Sequence, residues 1–230
     1  MMKKDKKAYK EALKENPSVD MIMFGRMAAS DPSLNYDATV QVAHSISTHT
    51  VHNEYDYFTA VDDCSRDDNA GAGHLGTVEF NSAVLYRYAT VNVRELAKFA
   101  GEKAAKATRN FVESFVYTMP TGKENTFANR TLPSDIYITL RLDQPVNLCG
   151  AFEKAVPAGT EGYIDASEKA FAKYTKDLYR QYGNAPALSF GSGKSTDLLN
   201  AEGMDVLTYS VPDLLDALEN ALEKQLEEEK

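Results

Sequence analysis

Residues 77 to 93 read TVEFNSAVLYRYATVNV, a run dense in β-branched and aromatic side chains that fit a pleated, half-buried surface. Alternation sets Val78, Phe80, Ser82, Val84, Tyr86 and Tyr88 on one face, so the run predicts one long strand. ATVQVAHSIST, at 38 to 48, alternates in the same way through Val40, Val42, His44, Ile46 and Thr48 and predicts a second. A chain that commits this much sequence to extended segments must build a sheet, and its other segments must cover it. Between the two lie residues 49–76, polar and glycine-rich in parts, which is too long for a plain connection; such insertions either carry function or lack structure.

The covering segments are helical in pattern. Residues 5–15 predict a short charged helix ended by Asn16 and Pro17, and VDMIMFGRMAA, 19 to 29, is an apolar packing segment that Gly25 allows to turn. From Val93 to Met119, Leu96, Phe99, Ala100, Ala104, Ala107, Phe111, Phe115 and Val116 recur at three and four spacing, which predicts one helix stopped by Pro120. After the loop TGKENTFANRTLPS come a strand at 135–143, a helix from Asp165 to about Tyr182, and a final amphipathic helix opened by SVPDLL at 210–215. Strands and helices mix without strict alternation, so the fold class is α+β.

LSFGSGKSTDLLN, residues 188–200, superficially resembles a phosphate cradle. A phosphate loop needs a glycine five positions before the Gly-Lys pair so that backbone amides can wrap the phosphates, and that position holds Leu188. The stretch therefore reads as a glycine-serine turn with a helix starting at Ser195 or Thr196. Gly122-Lys123 follows a helix and fails the same test. His44, His49 and His52 do not share a face of an extended chain and read as ordinary polar histidines; Asp62, Asp63, Asp67 and Asp68 lack calcium-loop spacing. No serine, cysteine or lysine carries a local nucleophile signature, so no catalytic residue, metal or cofactor is expected.

Hydrophobic residues make up 43% of the chain and charged ones 26%, enough for a packed core. The net charge of -9 argues against general coating by nucleic acid, but charge acts locally and part of the acidic excess sits in the tail EKQLEEEK. Cys64 and Cys149 are too few for a disulfide framework or a zinc site. The basic N-terminus has no apolar run behind it, which gives neither a signal peptide nor a membrane span and suggests a cytoplasmic protein. Tyr55, Tyr57 and Phe58 at one end of the insertion, and His74 and Leu75 at the other, are residue types that stack on or wedge between bases.

Taken together, VDMIMFGRMAA, QVAHSISTHTV, DYFTAVDD, AGAGHLGTVEFNSAVLYRYATVNV, MPTGKENTFANRTLP and QPVNLCGAFEKAV resemble the CasC family, the guide-RNA-binding backbone subunit of the type I-E CRISPR effector complex Cascade. The resemblance runs in order from about Ser18 to Gly183. It implies a palm like an RNA-recognition module (ferredoxin-like), a partial helical finger domain and a β-hairpin thumb. On that scheme residues 1–37 are a remnant of the finger, 38–48 and 77–230 the palm, and 49–76 the thumb. The family carries a further N-terminal portion with the first palm strand. The expectation is accordingly a palm incomplete at its N-terminus, with an exposed sheet edge and a tendency of the isolated polypeptide to aggregate.

The resemblance also implies partners and sites. Copies stack along one CRISPR guide RNA, each thumb displacing a nucleotide so that the remaining bases pair with target DNA; large, small, guide-capping and guide-processing subunits complete the complex. Met27 matches the finger methionine that packs on the guide, Tyr57 and Phe58 the aromatic pair of the thumb, and Leu75 its apolar residue near the kink. Lys123, assisted by Asn125 and Arg130, belongs to the loop facing the nucleic-acid groove. Two alternatives are a phosphate-loop-like nucleotide-binding protein through Gly193, Lys194 and Ser195, and an RNA-cleaving relative of type III backbone subunits, for which no cleaving acid is identifiable.

Overall fold

In the computed structural model, which describes residues 2–15, 17–60, 74–160 and 162–228, the two expected long strands are each broken into pieces that pair with one another. β1 (Val40–Val42) and β2 (Ile46–Ser47) come from the first; β4 (His74–Phe80), β5 (Leu85–Tyr86) and β6 (Ala89–Val91) span the second, and β3 (Glu54–Ala60) lies within the insertion. Pairing is antiparallel throughout: β1 with β6, β2 with β5, β3 with β4. The breaks follow from unequal chain lengths on the two sides. Residues 43–45 face only 87 and 88, and residues 48–53 face only 81–84, so the surplus on one arm bulges and bends the ladder. Thr77–Phe80, expected as the start of one long strand over 77–93, belongs to the separate strand β4 and pairs with Glu54–Tyr57 of the insertion.

The helix expected over 93–119 is two, α3 (Val93–Ala100) and α4 (Lys103–Tyr117), because Gly101 takes a left-handed φ of 56° between them. With α2 (Val19–Phe24) and β1 they enclose a small core of Ile22, Met23, Val40, Leu96 and Ala104. α1 (Met2–Glu15) precedes them.

The larger core surrounds a second sheet. β7 (Ile136–Leu140), β8 (Leu188–Ser192) and β9 (Leu207–Thr208) run in that order, β8 antiparallel to β7 and parallel to β9. Ile136, Ile138 and Leu140 alternate onto the face covered by α8 (Val211–Glu228), where Phe190 meets Leu214, Leu215, Leu218 and Leu222. On the reverse face α6 (Ile164–Tyr182) and α7 (Lys194–Ala201) contribute Ala172 and Leu199, with Tyr137 packed against them. The stretch expected to be a turn at 188–193 is thus the central strand. Gly191 has a packing reason: a Cβ there would run into the Thr196 side chain, so only glycine lets α7 lie so close to β8. The fold is mixed α+β with small sheets, as its sequence pattern implies.

Candidate nucleic-acid interface

The β3–β4 hairpin projects Tyr55, Tyr57 and Leu75 from one face. Register places Tyr57 opposite Thr77, Tyr55 opposite Glu79 and Thr59 opposite Leu75, so these six residues share a side. Tyr55 is 67%, Tyr57 74% and Leu75 68% exposed. Phe58, adjacent to Tyr57 in sequence, lies on the other side and crosses to Gly76, where a Cβ would come within 2.5 Å of its ring. Glycine leaves the space that an aromatic partner covers, which holds Phe58 against the hairpin with Val78 and Phe80 on the same side. Tyr57 and Phe58 are therefore not one aromatic pair in space. β3 and β4 contain Glu54, Asp56 and Glu79 but no lysine or arginine.

Cations come from the neighbouring loop. α5 (Glu124–Phe127) is one turn flanked by Lys123 and Ala128, both non-glycine residues in left-handed conformation with φ of 59° and 50°. Each such residue costs of order 1 kcal/mol and persists only where its surroundings enforce it. Lys123, Asn125 and Arg130 are exposed, and Arg130 ion-pairs with Glu124. The Phe127 ring meets Phe80 edge-on at 5.2 Å, which brings this loop directly to the hairpin base, on the Phe58 side.

Met27 follows α2 in a pinned turn and is 85% exposed. Arg26 and Tyr36 exchange two backbone hydrogen bonds of 3.0 and 2.9 Å, and the Arg26 guanidinium donates to the Leu34 carbonyl. Beside this turn a series of rings runs from α2 across α4 to the segment between β5 and β6: Phe24 to Phe111 at 6.2 Å, Phe111 to Phe115 at 6.0 Å, and the Arg87 guanidinium 4.3 Å above Phe115. Hairpin and Lys123 loop are in direct contact through Phe80 and Phe127, whereas Met27 stands on the turn after α2, next in sequence to Arg26.

At the root, His49 is buried, whereas His44 and His52 are exposed. Alternation had placed all three among ordinary polar histidines. Its neighbour Thr48 is buried as well, and nothing local in the sequence sets His49 apart from the other two.

In the Gly193-Lys194-Ser195 segment the groups a phosphate would need are engaged by carboxylates. The Ser195 amide at the start of α7 donates to Asp135 Oδ1 at 2.7 Å, and Lys194 ion-pairs with Asp165 at 2.9 Å. The positive end of the helix is already neutralised by a carboxylate of its own chain. Glu168, buried beside Asp135 with no donor for its Oε2, has its carboxyl pushed up to about 7, chiefly by burial and then by the Asp135 carboxyl. Among the described residues no group of three or more His, Cys, Asp or Glu is arranged to hold a metal ion, and no helix is long and apolar enough to cross a membrane. Cys64 and the acids at 62, 63, 67 and 68 lie outside the described residues.

A family model described as CT1975-like protein matches residues 1–217. Two solved structures share the fold. One, a CRISPR RNA-guided surveillance complex, pre-nicking, superimposes with a TM-score of 0.78 at 32% identity over 92% of this chain and 57% of that one. Another, a CRISPR RNA-guided surveillance complex, gives 0.76 at 33% identity over 94% of this chain and 83% of that one. This chain thus spans little more than half the length of the first. Among curated proteins none matches.

Proposed function

The chain belongs to the CT1975-like protein family, and from that premise we propose that it is a backbone subunit of a CRISPR RNA-guided surveillance complex that binds the guide RNA. In this reading it is of the type I-E Cascade kind, assembles beside copies of itself, and leaves guide bases free to pair with target DNA. The observation that carries the reading is the two-sided hairpin. Among the described residues its outer face presents Tyr55, Tyr57 and Leu75 without a lysine or arginine, while Lys123 and Arg130 lie on the loop that meets the opposite side.

That division suits an RNA backbone holder. Flat and apolar groups stack on or wedge between bases at about 1–3 kcal/mol per base without reading sequence, and the cationic loop meets phosphates. Sequence is left to guide–target pairing, so the protein needs no base-specific contacts. Tyr57 and Leu75 form the wedge, with Tyr55 beside them. Phe58 supports the wedge from behind, Lys123 and Asn125 contact the strand, Arg130 assists through Glu124, and Met27 packs on the guide from the finger side. No catalytic step is assigned to the chain, and the net charge of -9 is compatible because charge acts locally and the exposed Lys123 and Arg130 stand on the loop beside the hairpin.

Electrophoretic binding tests this. The chain is expected to retain a cognate CRISPR guide RNA and to lose it with rising salt. Equal retention of a duplex DNA of the same length, or no retention of guide at low salt, would contradict the reading.

A further inference from the structure

The hairpin leaves the body through two linkers, residues 48–53 and 81–84. Six residues on one side span what four span on the other, so strand pairing alone does not set the angle at which the hairpin stands. We propose that His49 is the pin that sets this angle, a positioning residue whose ring ties both linkers to the body. The inference rests on the guide-binding reading only for the consequence of the angle, not for the pin itself.

His49 is 8% exposed, and its ring makes polar contacts at both edges. Its Nδ1 lies 2.8 Å from the Thr50 carbonyl, and the Val84 amide donates to its Nε2 at 3.1 Å. A carbonyl can only accept and an amide N–H can only donate. Both contacts therefore hold only if the imidazole is neutral with its hydrogen on Nδ1. One ring thereby bonds to the ascending linker through Thr50 and to the descending linker through Val84.

The ring face completes the anchorage. It lies parallel on Tyr163, with centroids 3.7 Å apart and 11° between the planes. Tyr163 immediately precedes α6, and Ser167 of that helix shares a 2.8 Å hydrogen bond with Thr48 Oγ1. The Thr48 carbonyl accepts from the Val156 amide at 2.9 Å, and the Thr48 amide donates to the Val84 carbonyl at the same distance. Linker, opposite linker and helix thus converge on two consecutive side chains. A group that merely filled this space would need none of the edge contacts; a flat ring with a donor at one edge and an acceptor at the other serves all three neighbours at once.

The test reads the angle directly. In the full chain, with Cys64 and Cys149 replaced by serine, spin labels on cysteines introduced at Thr77 in the hairpin and Lys173 on α6 report one distance by pulsed electron resonance. The wild-type ring should give a narrow distribution. His49→Phe keeps the stack but loses both edge contacts and should broaden or displace it, whereas His49→Gln, whose amide oxygen can accept from Val84, should return the mean toward wild type. A His49→Phe distribution identical to wild type, or a His49→Gln distribution as broad as that of His49→Phe, would overturn the pin. Should His49→Phe not fold, the ring nitrogens of the wild-type chain decide by NMR at neutral pH: a hydrogen on Nδ1 alone supports the pin, and a hydrogen on Nε2 overturns it. A displaced hairpin with undiminished guide binding supports the pin and counts against the RNA role instead.

Discussion

The β3–β4 hairpin and the β7–β8–β9 sheet are both β-structure, yet they are built on opposite principles. In the sheet, Phe190 and Leu214, Leu215, Leu218 and Leu222 of α8 are almost wholly withdrawn from water, and α6 and α7 close the reverse face. In the hairpin every residue of β3 is exposed, and its largest side chains face outward. A two-stranded hairpin is marginal in water without something to pack on. The sheet therefore supplies the stability of the molecule, and the hairpin holds side chains for a partner at the expense of its own burial.

The largest expected effect comes from breaking the buried half. Leu215→Ala removes a core leucine and should destabilise the fold by about 2–5 kcal/mol, read as a lower midpoint in urea. Tyr57→Ala inverts that outcome: an exposed ring is lost, so the midpoint should stay within ~0.5 kcal/mol of wild type. Guide-RNA binding, in contrast, should weaken by about 1–3 kcal/mol. If Tyr57→Ala unfolded the chain as Leu215→Ala does, the contrast between the two regions would be lost.

A smaller effect sharpens the buried half by pH. Glu168 holds its proton to about pH 7 in the fold and to its ordinary value of 4.5 once unfolded. The folded state thus binds the extra proton between these values, and the stability that Glu168 contributes is complete below them and lost as pH rises through about 7. Asp135 and Asp165 act in the same direction, and Lys194 opposes them. Glu168→Gln cannot ionise, so its stability relative to wild type should rise across that window by at least ~1 kcal/mol. Parallel pH profiles would contradict the buried placement. Smallest of all, Lys123→Gly relieves a left-handed side-chain residue and should raise stability by up to ~1 kcal/mol while weakening guide binding, an opposition of signs that a purely structural lysine would not show.

Much of the buried half is legible in the sequence because burial leaves a period. Leu214, Leu215, Leu218 and Leu222 recur at helical spacing, and 164–182 reads as a helix to within one residue of its observed start. Two elements were hidden for particular reasons. β8 reads as a turn because Gly191 and its serine neighbours are turn formers, although Gly191 is there to admit Thr196. The run 77–93 reads as one strand because its composition is uniform, and its breaks depend on the length of the opposing arm, a tertiary quantity. The hairpin face carries almost no periodic signal, since neither side of β3 is buried. Its aromatic residues are visible, but the separation of Tyr57 from Phe58 needs the strand register, and the role of His49 needs Val84 and Tyr163, far from it in sequence.

The central claim is that the outer face of the hairpin displaces bases of a bound guide. Chemical probing of the 2′-hydroxyl reactivity of a cognate guide RNA saturated with the full chain tests it most directly. Wild type should leave unstacked, hyper-reactive nucleotides at a regular interval, and the double variant Tyr57→Ala, Leu75→Ala should erase that periodicity with its thermal transition unchanged. Uniform reactivity along the wild-type complex, or a periodic pattern that survives the double variant, would contradict it.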